Sequence, residues 1–256
     1  MRSDRITKPD IPPFSMSTEE WQARLDLAAM YRLVHHFRMT DTIYTHISMR
    51  LPGAKEAFLI NPFGLLYDEI TASNLVKVTV DGDILDDPVG LGINQAGFVI
   101  HGGIHAARPD VHVVLHTHTN DGVAVAIHGQ GVLPLSQHAA SIMRNIAYHA
   151  FEGIAVDLDE QERLVKDLGA KRMMILNDHG LLTAGRSAAE TFGLMLTLQR
   201  ACEIQVSAFS CGPVRTINEA ALASTKTTVE AAEDGHDRQW DALVRMLARM
   251  DSGFRA

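Results

Sequence analysis

Residues 96–119 read AGFVIHGGIHAARPDVHVVLHTHT, and the expected fold grows outward from them. Up to Ala107, small and apolar side chains alternate at near-helical spacing, which predicts a helix from Gly92 to about Ala107. Pro109 and Asp110 end it, because proline has no N–H to give and clashes with the preceding turn. VHVVLHTH then reads as a buried strand. Side chains alternate across a strand, so Val114, His116 and His118 share one face, and Val111, Val113 and Leu115 take the other. Two imidazoles two residues apart at a strand's end can converge on one metal ion. They are equally compatible with one hydrogen-bonded core histidine and one that faces solvent.

A second stretch, MMILNDHGLLTAG at 173–185, brings a third histidine. Arg172–Leu176 is expected as a strand and Asn177–Gly180 as its exit loop, with Gly180 permitting a sharp turn after His179. Three imidazoles at two strand ends make the protein side of an open zinc, iron or manganese site, with room for water or substrate. Ser17 with Glu20 marks a capped start for a helix over Thr18–Phe37. Tyr44–Arg50 and Ala57–Ile60 are expected strands, separated by a Pro–Gly turn at 52–53. Leu75–Val80 and Ile84–Leu85 form a hairpin about Asp81–Gly82. Further helices are expected over Asp121–Ile127, Leu135–Ala147, Gln161–Leu168 and Ala188–Phe209. The organisation predicted is an N-terminal arm over 1–17, one α/β domain over 18–212, and a helical extension over 213–256 packed on the domain or on an oligomer interface.

HTH at 116–118, LNDHG at 176–180 and the whole of 96–119, in this order and spacing, resemble the class II aldolase/adducin family, in its adducin-like bacterial branch. The similarity extends across most of Trp21–Phe209. It implies a three-layer α/β/α domain with a central mixed, largely antiparallel sheet. It also implies a homo-oligomer, commonly a fourfold homotetramer, with active sites near subunit boundaries. The metal ligands it implies are His116, His118 and His179, holding a divalent ion, zinc first, with iron or manganese as alternatives.

Two departures from the family pattern bear on the reaction. In the family's sugar-phosphate aldolases, a Ser-Ser-Glu segment before the HxH strand supplies the acid/base glutamate. The matching stretch here is Gln95-Ala96-Gly97, and Gly97 has no side chain to carry a proton. The phosphate-cradling GNxS motif corresponds to Thr45-His46-Ile47-Ser48, where Ser48 keeps a donor and His46 stands in place of asparagine. The expected substrate is therefore a small hydroxy- or oxo-acid, cleaved by decarboxylation or by a retro-aldol step. His46, His138 and Asp178 are the candidate proton-transfer or ligand-orienting residues. Ser48, Asn61, Phe63, Gly64 and Gly97 are the candidate substrate contacts. His101 and His105, four apart on one helix face, are candidates for a second small metal site. Two other readings stand beside the lyase: a non-catalytic, adducin-like interaction protein with a retained metal site, and a non-heme iron oxygenase.

The composition narrows the partners. With 256 residues, 46% hydrophobic and 21% charged, the chain can bury one large core. A net charge of −8 with dispersed basic residues gives no broad attraction for nucleic acid or anionic lipid. Two cysteines build no disulfide framework, and there is neither an apolar signal segment nor an eighteen-residue apolar run. The expectation is a cytoplasmic homo-oligomer that acts on a small molecule, with no nucleic-acid or membrane partner.

Overall fold

The computed structural model describes residues 16–51, 53, 57–153, 159–231 and 235–256. The expected arm at 1–17 therefore lies outside the described residues except for its last two, as does Pro52 of the expected turn. Helix α1 (Thr18–His36) starts at Ser17, whose hydroxyl accepts from the Glu20 N–H at 3.1 Å. The Glu20 carboxylate does not close the other half of a capping box. It turns instead to Arg24 at 3.2 Å and Lys77 at 3.0 Å.

A meander follows: β1 (His46–Arg50), β2 (Ala57–Ile60), β3 (Val76–Thr79) and β4 (Ile84–Asp86). Helix α2 (Gln95–Ala107) begins three residues later than the apolar pattern predicts. Gly92 has φ +66, outside the helical region, and Asn94 caps the helix by accepting from the Ala96 N–H at 3.0 Å. After β5 (Val113–Thr117) come α3 (Asn120–Ile127), α4 (Gln137–Ile142), β6 (Ile146–His149), α5 (Asp159–Leu168), β7 (Met173–Leu176), β8 (Gly180–Gly185) and α6 (Ala188–Ser210). Helices α7 (Glu219–Ala231) and α8 (Gly235–Met250) complete the order.

Two strands correct the sequence reading. The helix expected over Leu135–Ala147 stops at Ile142, and Ile146–His149 pairs with β7 as an edge strand. Residues 181–185, LLTAG, carry no alternating pattern, yet they form β8 between β5 and β7 with every residue buried. A strand covered on both faces has no solvent side to betray it.

The eight strands run β4-β3-β2-β1-β5-β8-β7-β6. Every neighbouring pair is antiparallel except β6–β7, which is parallel. Helices α1, α3, α6 and α8 cover one face of the sheet, and α2 and α5 cover the other. The architecture is thus three-layered, α/β/α, around a mixed and largely antiparallel sheet. On the first face Val113 and Leu115 share one buried cluster with Leu27, Met30 and Met195. On the second, Val114 belongs to a cluster with Ile100 and Ile104. Val111, two residues before β5 begins at Val113, also joins the second cluster, against the simple alternation from Val113. Trp240 and Leu247 of α8 enter the main core, whereas α7 buries Leu222 and lies against α4.

Candidate metal centre

The antiparallel order brings the start of β1, the end of β5 and the β7–β8 turn to one end of the sheet. His46 and His116 are direct cross-strand partners, and His118 lies just beyond the end of β5. His179 is delivered by a tight turn in which Asp178 adopts φ 57, a left-handed conformation that Asp tolerates better than most residues. Gly180 is required by packing rather than by φ. A Cβ there would strike the Thr117 carbonyl oxygen and then meet the rings of His118 at 3.1 Å and His116 at 3.3 Å. Only glycine lets β8 approach the HTH segment this closely.

The three Nε2 atoms converge. His116 to His118 is 2.7 Å, His118 to His179 is 2.9 Å, and His116 to His179 is 3.2 Å. The opposite nitrogens assign the tautomers. His116 Nδ1 faces the Leu181 carbonyl at 2.9 Å, and His118 Nδ1 faces the Asp41 carboxylate at 3.0 Å. Both partners only accept, so both Nδ1 atoms carry a proton, and each ring when neutral presents its lone pair at Nε2. Lone pairs at such distances repel, and only a positive charge among them makes the arrangement favourable. A proton is disfavoured. Burial, then the neighbouring imidazoles, hold His116 well below the ordinary histidine range, and the same causes bring His179 down to about 4. Three converging imidazole nitrogens, two of them oriented from behind by a carbonyl and a carboxylate, fit a divalent transition metal. His116 is fully buried, while His118 and His179 are partly exposed, so the cluster opens on one side.

Asp41 is the orienting carboxylate, and sequence reasoning passed it over. It lies in the polar turn after α1, seventy-seven residues from His118, with no local pattern to mark it. Asp178, expected in that role, is exposed, and its one recorded hydrogen bond is from its backbone N–H to the Ala126 carbonyl. His138 is also exposed, on α4, and no hydrogen bond, ion pair or ring contact links it to the triad.

The two departures from the family pattern prove to be one feature. A Cβ on Gly97 would lie 2.7 Å from His46 Cδ2 and 2.9 Å from its Cγ. The His46 ring therefore occupies the space into which any side chain at 97 would project. On its other side it packs against His116, with ring centroids 5.1 Å apart. Ser48, expected as a substrate contact, turns its hydroxyl to two ring nitrogens. It is fully buried, with its hydroxyl 2.6 Å from His101 Nδ1 and 2.7 Å from His105 Nε2. These imidazoles thus share a hydroxyl rather than forming a second metal site. Asn61 is likewise committed, its Oδ1 accepting from the Tyr31 hydroxyl at 2.8 Å. Phe63 is half-buried and Gly64 exposed, just past the end of β2 on the triad's side of the sheet.

The model of the class II aldolase and adducin N-terminal domain matches residues 25–206. The chain belongs to the class II aldolase/adducin family. A Caulobacter vibrioides protein that carries the class 2 aldolase name is 51% identical over 251 residues, covering 93% of this chain and 94% of its own. Rat alpha-adducin is 48% identical across 91% of this chain, which spans 33% of the adducin. Among solved structures, an aldolase II superfamily protein from Pseudomonas syringae superposes with a TM-score of 0.90 at 52% identity, covering 94% of this chain and 98% of that one. L-fuculose 1-phosphate aldolase from Glaciozyma antarctica reaches 0.84 at 25% identity, covering 96% and 97%. Class II aldolase/adducin relatives thus include both an aldolase and the adducins, and the described residues contain no helix long and apolar enough to cross a membrane.

Proposed function

We propose that this chain is a metal-dependent carbon–carbon lyase acting on a small hydroxy- or oxo-acid, by decarboxylation or retro-aldol cleavage. The observation that carries the reading is the convergence of three Nε2 atoms, on His116, His118 and His179, in a pocket wall open on one side. A divalent ion held there, zinc first and iron or manganese as alternatives, supplies Lewis-acid stabilisation of negative charge on a substrate oxygen. Asp41 and the Leu181 carbonyl hold the ligand rings in the tautomer that this requires.

Cleavage of a carbon–carbon bond leaves its electron pair on the retained fragment as an enolate, and a proton must be returned to carbon. In a retro-aldol step His46 is the group placed to take the substrate hydroxyl's proton at Nε2 and return it to carbon, whereas in a decarboxylation the proton comes from solvent. The His46 ring fills the position above Gly97 where the family's aldolases carry their glutamate, it packs on His116, and Nε2 has no hydrogen-bond partner among the described residues. Phe63 and Gly64, past the end of β2, are the remaining substrate contacts of this reading. His138 serves it only if a second copy of the chain brings that residue to the pocket, in keeping with a cytoplasmic homotetramer whose sites lie at subunit boundaries.

The test begins with metal content. Protein purified without a histidine tag is expected to hold near-stoichiometric divalent metal by mass spectrometry, and His116→Ala/His118→Ala to lose it while keeping its circular dichroism. The metal-loaded form is then screened anaerobically with hydroxy- and oxo-acids for aldehyde or carbon dioxide release. No bound metal after reconstitution with zinc, iron and manganese sinks the lyase. Bound metal without turnover moves the chain to the non-catalytic reading, which the 48% identity to alpha-adducin favours.

A further inference from the structure

Beside the triad lies a narrow cleft lined by Ile100, Phe151, Asn177 and His179, and by two buried polar groups, His149 and Glu160. His149 closes β6 and is only 3% exposed. Its Nδ1 faces the Asp167 carboxylate of α5 at 2.8 Å. The carboxylate accepts, so Nδ1 carries a proton, and the ring when neutral presents its lone pair at Nε2. That Nε2 is buried and has no hydrogen-bond partner among the described residues. Across from it, at 3.7 Å, stands Oε1 of Glu160, whose side chain is 10% exposed.

The spacing sets this pair apart. A charge-assisted N–H···O bond closes to about 2.7–2.9 Å, as the other side of the same ring does. At 3.7 Å, Nε2 and Oε1 are not drawn together around a proton. Two ligands of one tetrahedral ion, each about 2.0–2.1 Å from it, stand roughly 3.4 Å apart. The observed gap is close to that. An imidazole backed by one carboxylate, with a second carboxylate at ligand spacing, is the donor set of a zinc-like cation. Burial raises the Glu160 carboxyl above its ordinary range, a cost that a cation between the two groups offsets. Glu152 lines the same cleft, but the Arg163 guanidinium holds it at 2.9 Å. The protein thus supplies two ligands, and water completes the set. The His149 carbonyl also accepts from the Asn177 N–H at 2.9 Å, which ties it to the turn that delivers His179.

We propose that His149 Nε2 and the Glu160 carboxylate form a second divalent-metal site, separate from the triad, which braces α5 against the turn carrying His179. The site does not rest on the lyase reading, and it is tested with the triad disabled. With two protein ligands against three, it fills only when zinc is added. Zinc titrated into His116→Ala/His118→Ala, followed by calorimetry, is expected to saturate at one equivalent and to raise the melting temperature. Adding His149→Ala, or the near-isosteric Glu160→Gln, is expected to weaken that binding roughly tenfold or more and to remove the rise. In the parent protein the same titration should read two equivalents, and in its Glu160→Gln variant one. The glutamine keeps the shape of Glu160, so these arms decide even if His149→Ala fails to fold. No saturable zinc binding in the double variant overturns the proposal. So does equal binding after Glu160→Gln, which assigns the zinc to exposed histidines such as His35 and His36. Neither result touches the metal held by the triad of the parent protein, so the two readings fail separately.

Discussion

The chain holds two clusters of three histidines, back to back at one end of its sheet, and they are built on opposite plans. In the triad of His116, His118 and His179, three nitrogens aim at one another, and two of them have their protons tied up behind. In the row of His46, His101 and His105, every ring nitrogen but the two at the ends has a partner that can share a proton with it. The first plan leaves repelling lone pairs, which a cation relieves. The second satisfies itself with protons alone and needs no cation. Residue type does not separate the two; what stands behind each ring does. A carbonyl and a carboxylate, which cannot donate, make the difference for His116 and His118.

The contact that joins the clusters offers the sharpest way to break this contrast. Gly97→Glu drives a side chain into the His46 ring and is expected to destabilise the fold by about 3 kcal/mol through overpacking. Combined with His46→Asn, the same substitution should recover at least half of that loss in a double-mutant cycle of urea unfolding. Additive effects would show that residues 46 and 97 do not compete for one space.

A smaller change tests the triad's backing. Asp41→Ala removes the acceptor behind His118 and is expected to weaken zinc binding roughly tenfold to a hundredfold, by competition with a chelator. The same measurement on Asp178→Ala should show no change, since that carboxylate backs no ring. Equal losses in both variants would dissolve the distinction drawn here between them.

The mildest effect belongs to the buried row and is read through pH. Burial pushes His105 down to about 3 in the folded chain, against an ordinary value near 6.5 when unfolded. Between those values the unfolded chain binds the proton and the folded chain does not. Stability is therefore complete above about pH 6.5 and falls on acidification, by about 1.4 kcal/mol per pH unit for this group. Urea unfolding from pH 7 to pH 5 should show the fall, and His105→Gln should make it shallower. A variant slope equal to the parent's would mean that His105 is already protonated in the folded state.

Much of this was legible along the chain because the signals were local. The proline stop after α2, the Asp–Gly hairpin and the HTH and LNDHG segments each declare themselves within a few residues. β8 and β6 did not. One is buried on both faces and the other is recruited from the end of a helical pattern by its neighbour β7. Among the site residues, Ser48 and Asn61 look like free polar groups in sequence, but Tyr31, His101 and His105 claim them from distant elements. Asp41 carried no mark at all.

The sequence by itself determined the family, the α/β class and the three imidazoles of the triad, since strand parity and short motifs depend only on near neighbours. The tertiary structure alone decided which carboxylate stands behind His118, why position 97 must be glycine, and that His46 ends a buried row of shared protons. Those outcomes depend on distances between segments more than fifty residues apart, and only the packed sheet sets such distances.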